Sequence, residues 1–146
     1  MADFGRRYLR EYNVLGNIVF ADMYKQIIAG TFILGQSSDQ KYQFLLYNNT
    51  FAQNDEIEYE IFAHHGTRTL EILGRTNNNS AIITPYIDDV AQGTIDFYSL
   101  SDTYNVIKTL AVTVVGTKQH SLKIKSTDKN PLSGNYIFNL TWLRIK

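Results

Sequence analysis

Residues 56–62 read EIEYEIF, in which acidic and apolar side chains alternate from Glu56 to Ile61. Successive side chains of an extended strand point to opposite faces. The alternation therefore puts Glu56, Glu58 and Glu60 on one face and Ile57, Tyr59 and Ile61 on the other. It predicts a strand with one wet face and one core face. Residues 120–126, HSLKIKS, repeat the pattern with Leu122 and Ile124 opposite Lys123 and Lys125.

Outward from these two stretches the chain keeps reading as short strands. They are expected over 31–35, 41–48, 56–63, 68–75, 80–87, 93–99, 105–116, 119–126 and 134–145. Turn signals part them, among them Gly35–Asp39, Asn48-Asn49, Gly66, Asn77–Asn79, Asp88-Asp89, Gly116 and Asp128–Pro131. No segment between 31 and 146 has a 3.6-residue apolar period. VIKTLAVTVVG (106–116) and NYIFNLTWLRI (135–145) are apolar on both faces, so both are expected to be central strands or covered on both sides. Trp142 shares parity with Tyr136, Phe138 and Leu140 and is expected in the core. Residues 64–80 and 114–130 echo one another, each passing from Gly-Thr to Leu-x-Ile and a polar turn. That is a shared hairpin design, not a repeat. The expected fold is all-β, an antiparallel β-sandwich of the jelly-roll type with about eight or nine strands.

The chain has 146 residues, enough for one domain with a real core. Residues 1–17 differ from the rest. Arg6, Arg7 and Arg10 sit among Tyr8, Leu9 and Tyr12, too apolar for a merely solvated tail. The expected organisation is an N-terminal arm over 1–17 and a sandwich domain over 18–146. Arg6, Arg7, Arg10, Tyr8 and Tyr12 are the expected partner contacts of the arm. No apolar stretch follows these arginines, so no signal peptide is expected, and no apolar run is long enough for a membrane helix.

Net charge is zero, with ten acids against three bases over 39–102 and seven bases against one acid over 103–146. Acidic and basic strands pairing across a sheet account for this split; acidic-on-basic contact between subunits is the alternative. No basic stripe with interleaved aromatics is present, which argues against nucleic-acid binding. There is no Cys, so disulfides, thiolate metal sites and Cys nucleophiles are excluded.

No convergent catalytic set stands out. His64 and His65 are adjacent in an expected strand and point apart. His120 has core parity and reads as a buried, hydrogen-bonded structural residue. Asp88-Asp89 offers the hard oxygens calcium takes, but a bare Asp pair reads as a turn. Neither a P-loop, a dinucleotide fingerprint nor a nucleophile elbow is present. The chain is expected not to be an enzyme and to hold no metal or cofactor. Sugar sites combine an aromatic platform with directional hydrogen bonds. Tyr98, Tyr104, Asn105, Asn130 and Tyr136 have that chemistry and are the candidate ligand contacts.

GTIDFYSLSDTYN (93–105) and the later Gly116, His120, Leu122, Lys129, Asn130, Ser133, Gly134 and Tyr136 carry a resemblance. Over residues 55–146 the chain resembles the galactose-binding-like jelly roll of small carbohydrate-binding modules. It also resembles β-sandwich domains of tailed-phage virion proteins, where such modules decorate capsids, stiffen fibres or bind host glycans. Asp88-Asp89 departs from the Asp-Gly turn of the pattern. The resemblance implies a non-enzymatic capsid decoration (cement) protein, trimeric, assembled in a host cytoplasm onto the major capsid protein or other virion proteins. The alternative it implies is a carbohydrate- or receptor-binding module of a fibre, or a tail adaptor.

Overall fold

In the computed structural model the described residues are 18–35 and 45–146. Arg6, Arg7, Tyr8, Arg10 and Tyr12 lie outside them, as do residues 41–44 of one expected strand. The described residues form twelve strands and no helix. These are β1 (Val19–Phe20), β2 (Gln26–Ala29), β3 (Phe32–Gly35), β4 (Leu45–Asn48), β5 (Glu56–Ala63) and β6 (Gly66–Thr76). They continue as β7 (Ala81–Ile87), β8 (Val90–Ala91), β9 (Ile95–Asp96), β10 (Thr103–Val114), β11 (Lys118–Lys129) and β12 (Asn139–Ile145).

Two six-stranded antiparallel sheets face each other as a jelly-roll sandwich. The first has the order β10-β6-β12-β4-β3, with β1 also on β12; the second has the order β2-β5-β11-β7-β8, with β9 also on β7. The alternation of 56–62 is realised in β5: Ile57, Tyr59 and Ile61 are fully buried, joined from β11 by Leu122 and Ile124 and from the first sheet by Leu70, Ile72, Leu140 and Leu143. The Tyr59 hydroxyl reaches the core surface and donates to the Ala21 carbonyl at 2.8 Å. The charge split follows strand pairing. Lys123 lies opposite Glu58 and Lys125 opposite Glu56 across β11 and β5, and Arg144 lies opposite Glu71 across β12 and β6.

The Gly-Thr starts of the echoed segments lie at two of the corners where the chain passes between the sheets. The chain crosses from the second sheet to the first between β5 and β6, and back between β10 and β11. Gly66 (φ +118°) and Gly116 (φ +88°) supply the left-handed backbone each corner needs. The corners are tied together, because Gly116 N–H donates to His65 Nδ1 at 2.9 Å and His65 N–H donates to Thr117 Oγ1 at 3.0 Å. His64 and His65 thus lie in a corner, not in a strand as expected.

Four expectations need correction. β10 is an edge strand, not a central one: Ile107, Thr109, Ala111 and Thr113 are exposed, and the free edge is capped at Thr113, whose N–H meets Gln92 Oε1 at 2.8 Å. β12 is central, but Trp142 is only half-buried. A bulge between Leu140 and Trp142 adds one residue, so parity reverses and Leu143 enters the core in its place. The 93–99 strand shrinks to Ile95–Asp96, with Ile95 and Phe97 buried as their parity implies. The short strands β1, β2 and β8 have no counterpart in the expected set.

Asp88 and Asp89 form the two-residue turn between β7 and β8. Both have positive φ, +48° and +67°, as a type I′ hairpin requires. The side chains explain why Asp serves here. Asp88 Oδ1 accepts Ser121 N–H at 3.0 Å and Oδ2 meets His120 Nδ1 at 2.6 Å, while Asp89 receives Lys123 Nζ. His120 is buried as expected, and its Nε2 donates to the Gly116 carbonyl at 2.8 Å.

Candidate functional site

A cleft of about 450 Å³ opens on the outer face of the first sheet. Its floor is a row of paired residues across three strands. Tyr47 of β4 stands opposite Asn139 of β12, which stands opposite Arg75 of β6. Buried residues flank each of them in the strand, so all three point outward.

Tyr104 of β10 completes the row through a second bulge. The three-residue step from Thr103 to Val106 opposes the two-residue step from Thr76 to Gly74, and Asn105 takes φ +53° to absorb the extra residue. Without it Tyr104 would face the core side. With it the Tyr104 ring lies beneath the Arg75 guanidinium, 5.1 Å from carbon to ring centroid. Arg75 Nη2 also meets Asp102 Oδ2 at 2.7 Å.

Phe51 stands at one wall. It is 40% exposed and has φ +55°, a costly conformation for an aromatic residue. A buried polar clamp imposes that geometry. Asn48 Nδ2 donates to Asp55 Oδ2 and to the Tyr136 carbonyl, both at 2.8 Å, and Asp55 Oδ2 also accepts Ala52 N–H at 3.0 Å. Asn48 Oδ1 accepts Phe138 N–H at 2.9 Å, so the loop that carries Phe51 is anchored to the strand leading into β12. Gly35 lies under Tyr47, where an added Cβ would come within 3.1 Å of the ring. The cleft therefore presents aromatic surfaces from Tyr47, Phe51 and Tyr104 around Arg75, Asn77, Asp102 and Asn139.

Among the described residues two buried side-chain polar atoms have no hydrogen-bond partner, Arg75 Nε and Asn139 Nδ2. Both belong to residues that line this cleft, and both are N–H donors. A buried donor left unmade costs on the order of 1–3 kcal/mol, and such groups call for a partner.

Of the candidates read from the sequence, Tyr104 alone lines the cleft. Asn105 is exposed and works as the bulge residue. Asp96 organises Tyr98 and Asn130 instead: Tyr98 N–H donates to its Oδ1 and Asn130 Nδ2 to its Oδ2, both at 2.8 Å. Tyr136 packs on the core, with Lys129 Nζ 5.1 Å from its ring centroid. Sequence reasoning missed Tyr47, Phe51, Arg75 and Asn139, which are scattered from 47 to 139 with no local motif. The left-handed Phe51 and the bulge at Asn105 leave no signal that residue parity can detect. Among the described residues no three His, Asp or Glu side chains gather to hold a metal ion.

No protein-family model and no curated protein matches the sequence. Solved structures do match in fold. A domain of Paenibacillus xanthan lyase superposes with a TM-score of 0.66 at 20% identity, covering 86% of this chain and 12% of the lyase. The present chain thus spans only a small part of that enzyme. It does span nearly all of two stand-alone modules. One is the CBM36-1 carbohydrate-binding domain of a multidomain xylanase from the hindgut metagenome of Trinervitermes trinervoides (TM-score 0.64, 19% identity, 88% of this chain and 94% of that one). The other is a family 6 carbohydrate-binding module from Clostridium cellulolyticum solved with xylose (TM-score 0.64, 15% identity, 90% and 97%). The chain has the jelly-roll fold of carbohydrate-binding modules.

Proposed function

We propose that the protein is a non-catalytic carbohydrate-binding module whose glycan lies in the cleft of Tyr47, Phe51, Arg75, Tyr104 and Asn139. One observation carries this reading: both partnerless buried donors belong to residues that line the cleft, which also gathers three aromatic rings. Sugars offer apolar C–H faces that rest on rings and hydroxyls that satisfy N–H donors. The family 6 module of the same fold is a xylose complex, which supports a glycan as the ligand class.

Capsid decoration has no comparable support. Its arm lies outside the described residues, none of the similar structures named above is a virion protein, and neither a capsid partner nor a trimer finds a supporting observation.

Native gel electrophoresis through soluble polysaccharides tests the proposal, with Phe51→Gly as the diagnostic variant. Glycine relieves the positive φ and removes the ring. The expected result is retarded migration of the wild type in at least one polysaccharide and loss of that retardation in Phe51→Gly, with no fall in Tm. Retardation of both proteins alike would place the glycan elsewhere. A wild type unretarded across a broad panel would refute the proposal.

A further inference from the structure

We infer that Asp102 sets the charge class of the ligand, making the cleft a receptor for neutral glycans and closing it to uronates. The inference rests on the glycan-binding reading above. An arginine with a free fork can receive a carboxylate, because its guanidinium offers parallel donors to two oxygens at once. Here that arrangement is broken. Nε and Nη2 share one edge of the guanidinium; Nη2 is taken by Asp102 Oδ2 at 2.7 Å, and Nε has no partner. A uronate carboxylate approaching Nε would come to rest beside the Asp102 carboxylate, like charge against like charge.

A sugar hydroxyl meets the same place without conflict. It accepts and donates at once, so it can accept a hydrogen bond from the Arg75 guanidinium or the Asn139 amide while donating one to the Asp102 carboxylate. Among the described residues lining the cleft, Arg75 and Asp102 are the only charged ones, and they neutralise each other. The Asp102 side chain is 53% exposed. A pair so open to water adds little to stability, so the carboxylate matters here through what it admits.

The experiment is calorimetric titration of wild type and Asp102→Asn with xylohexaose, cellohexaose and hexagalacturonate at low and moderate salt. Asparagine keeps the shape and removes the charge. The wild type should bind a neutral hexaose and hold hexagalacturonate about tenfold more weakly or worse. Asp102→Asn should shift that ratio toward hexagalacturonate by about tenfold, and the gained affinity should weaken with salt. A wild type that prefers hexagalacturonate, or an unchanged ratio in Asp102→Asn, overturns the inference and leaves glycan binding standing. Binding of none of the three by either protein removes the glycan reading, and this inference with it.

Discussion

Asp88 and Asp89 share a turn and a backbone conformation, yet their side chains do different things. Asp88 is held below the usual carboxylate range. Burial opposes its ionisation, but the bonds from His120 and from Ser121 N–H outweigh that cost. Asp89 meets Lys123 at the surface, an interaction of small worth. Replacing each by glycine removes the positive-φ strain in both cases and so isolates the carboxylates. Asp88→Gly should destabilise by about 1–3 kcal/mol, since His120 Nδ1 and Ser121 N–H lose their acceptor. Asp89→Gly should stay within about 0.5 kcal/mol of the wild type. Urea unfolding at neutral pH measures both; equal effects would contradict the roles assigned. His120 was legible in the sequence because parity placed it beside Leu122. Its Asp88 partner was not, since nothing in a turn sequence says which strand its side chains will meet.

At the scale of elements, alternation was readable wherever strands run without interruption. β5 follows it residue by residue, and β11 does as far as Ser126. It fails at bulges, and two of these, in β10 and β12, re-aim aromatic side chains. One turns Tyr104 toward Arg75, and the other turns Trp142 outward to lie 5.5 Å from the Arg144 guanidinium. The β12 bulge makes a sharp prediction. Deleting Thr141 should regularise the strand, keep Leu143 and Ile145 in the core, and cost about 1 kcal/mol for the bond its carbonyl accepts from Ala21 N–H. Deleting Leu143 should abolish folding, because Arg144 would then occupy a core position. Circular dichroism and Trp142 fluorescence distinguish the two. A Thr141 deletion that unfolds the chain would contradict the bulge as the reason for Trp142's placement.

Across the whole molecule, acids and bases are separated in sequence and joined by strand pairing, which makes stability depend on pH. The Glu58 carboxyl is lowered by its bonds from Gln26 and Ser121. Glu71 is lowered as well: burial opposes ionisation, and bonds from Lys146 and Arg144 overcome it. With Asp88, these are groups whose folded pKa lies below the unfolded value. Their contribution is complete above the ordinary carboxylate range and is lost as pH falls through the lowered folded values. Tm should therefore hold from neutral pH to about pH 5 and fall steeply below about pH 4. Glu71→Gln should flatten that fall, as a scan of Tm against pH would show. The most direct test of the central claim is calorimetric titration of a neutral oligosaccharide, chosen from a glycan array, into wild type, Tyr47→Ala and Asn139→Ala. The cleft as described predicts saturable binding by the wild type and a loss of about tenfold or more in each variant, with folding retained. Full affinity in both variants, or no glycan bound by the wild type, would contradict it.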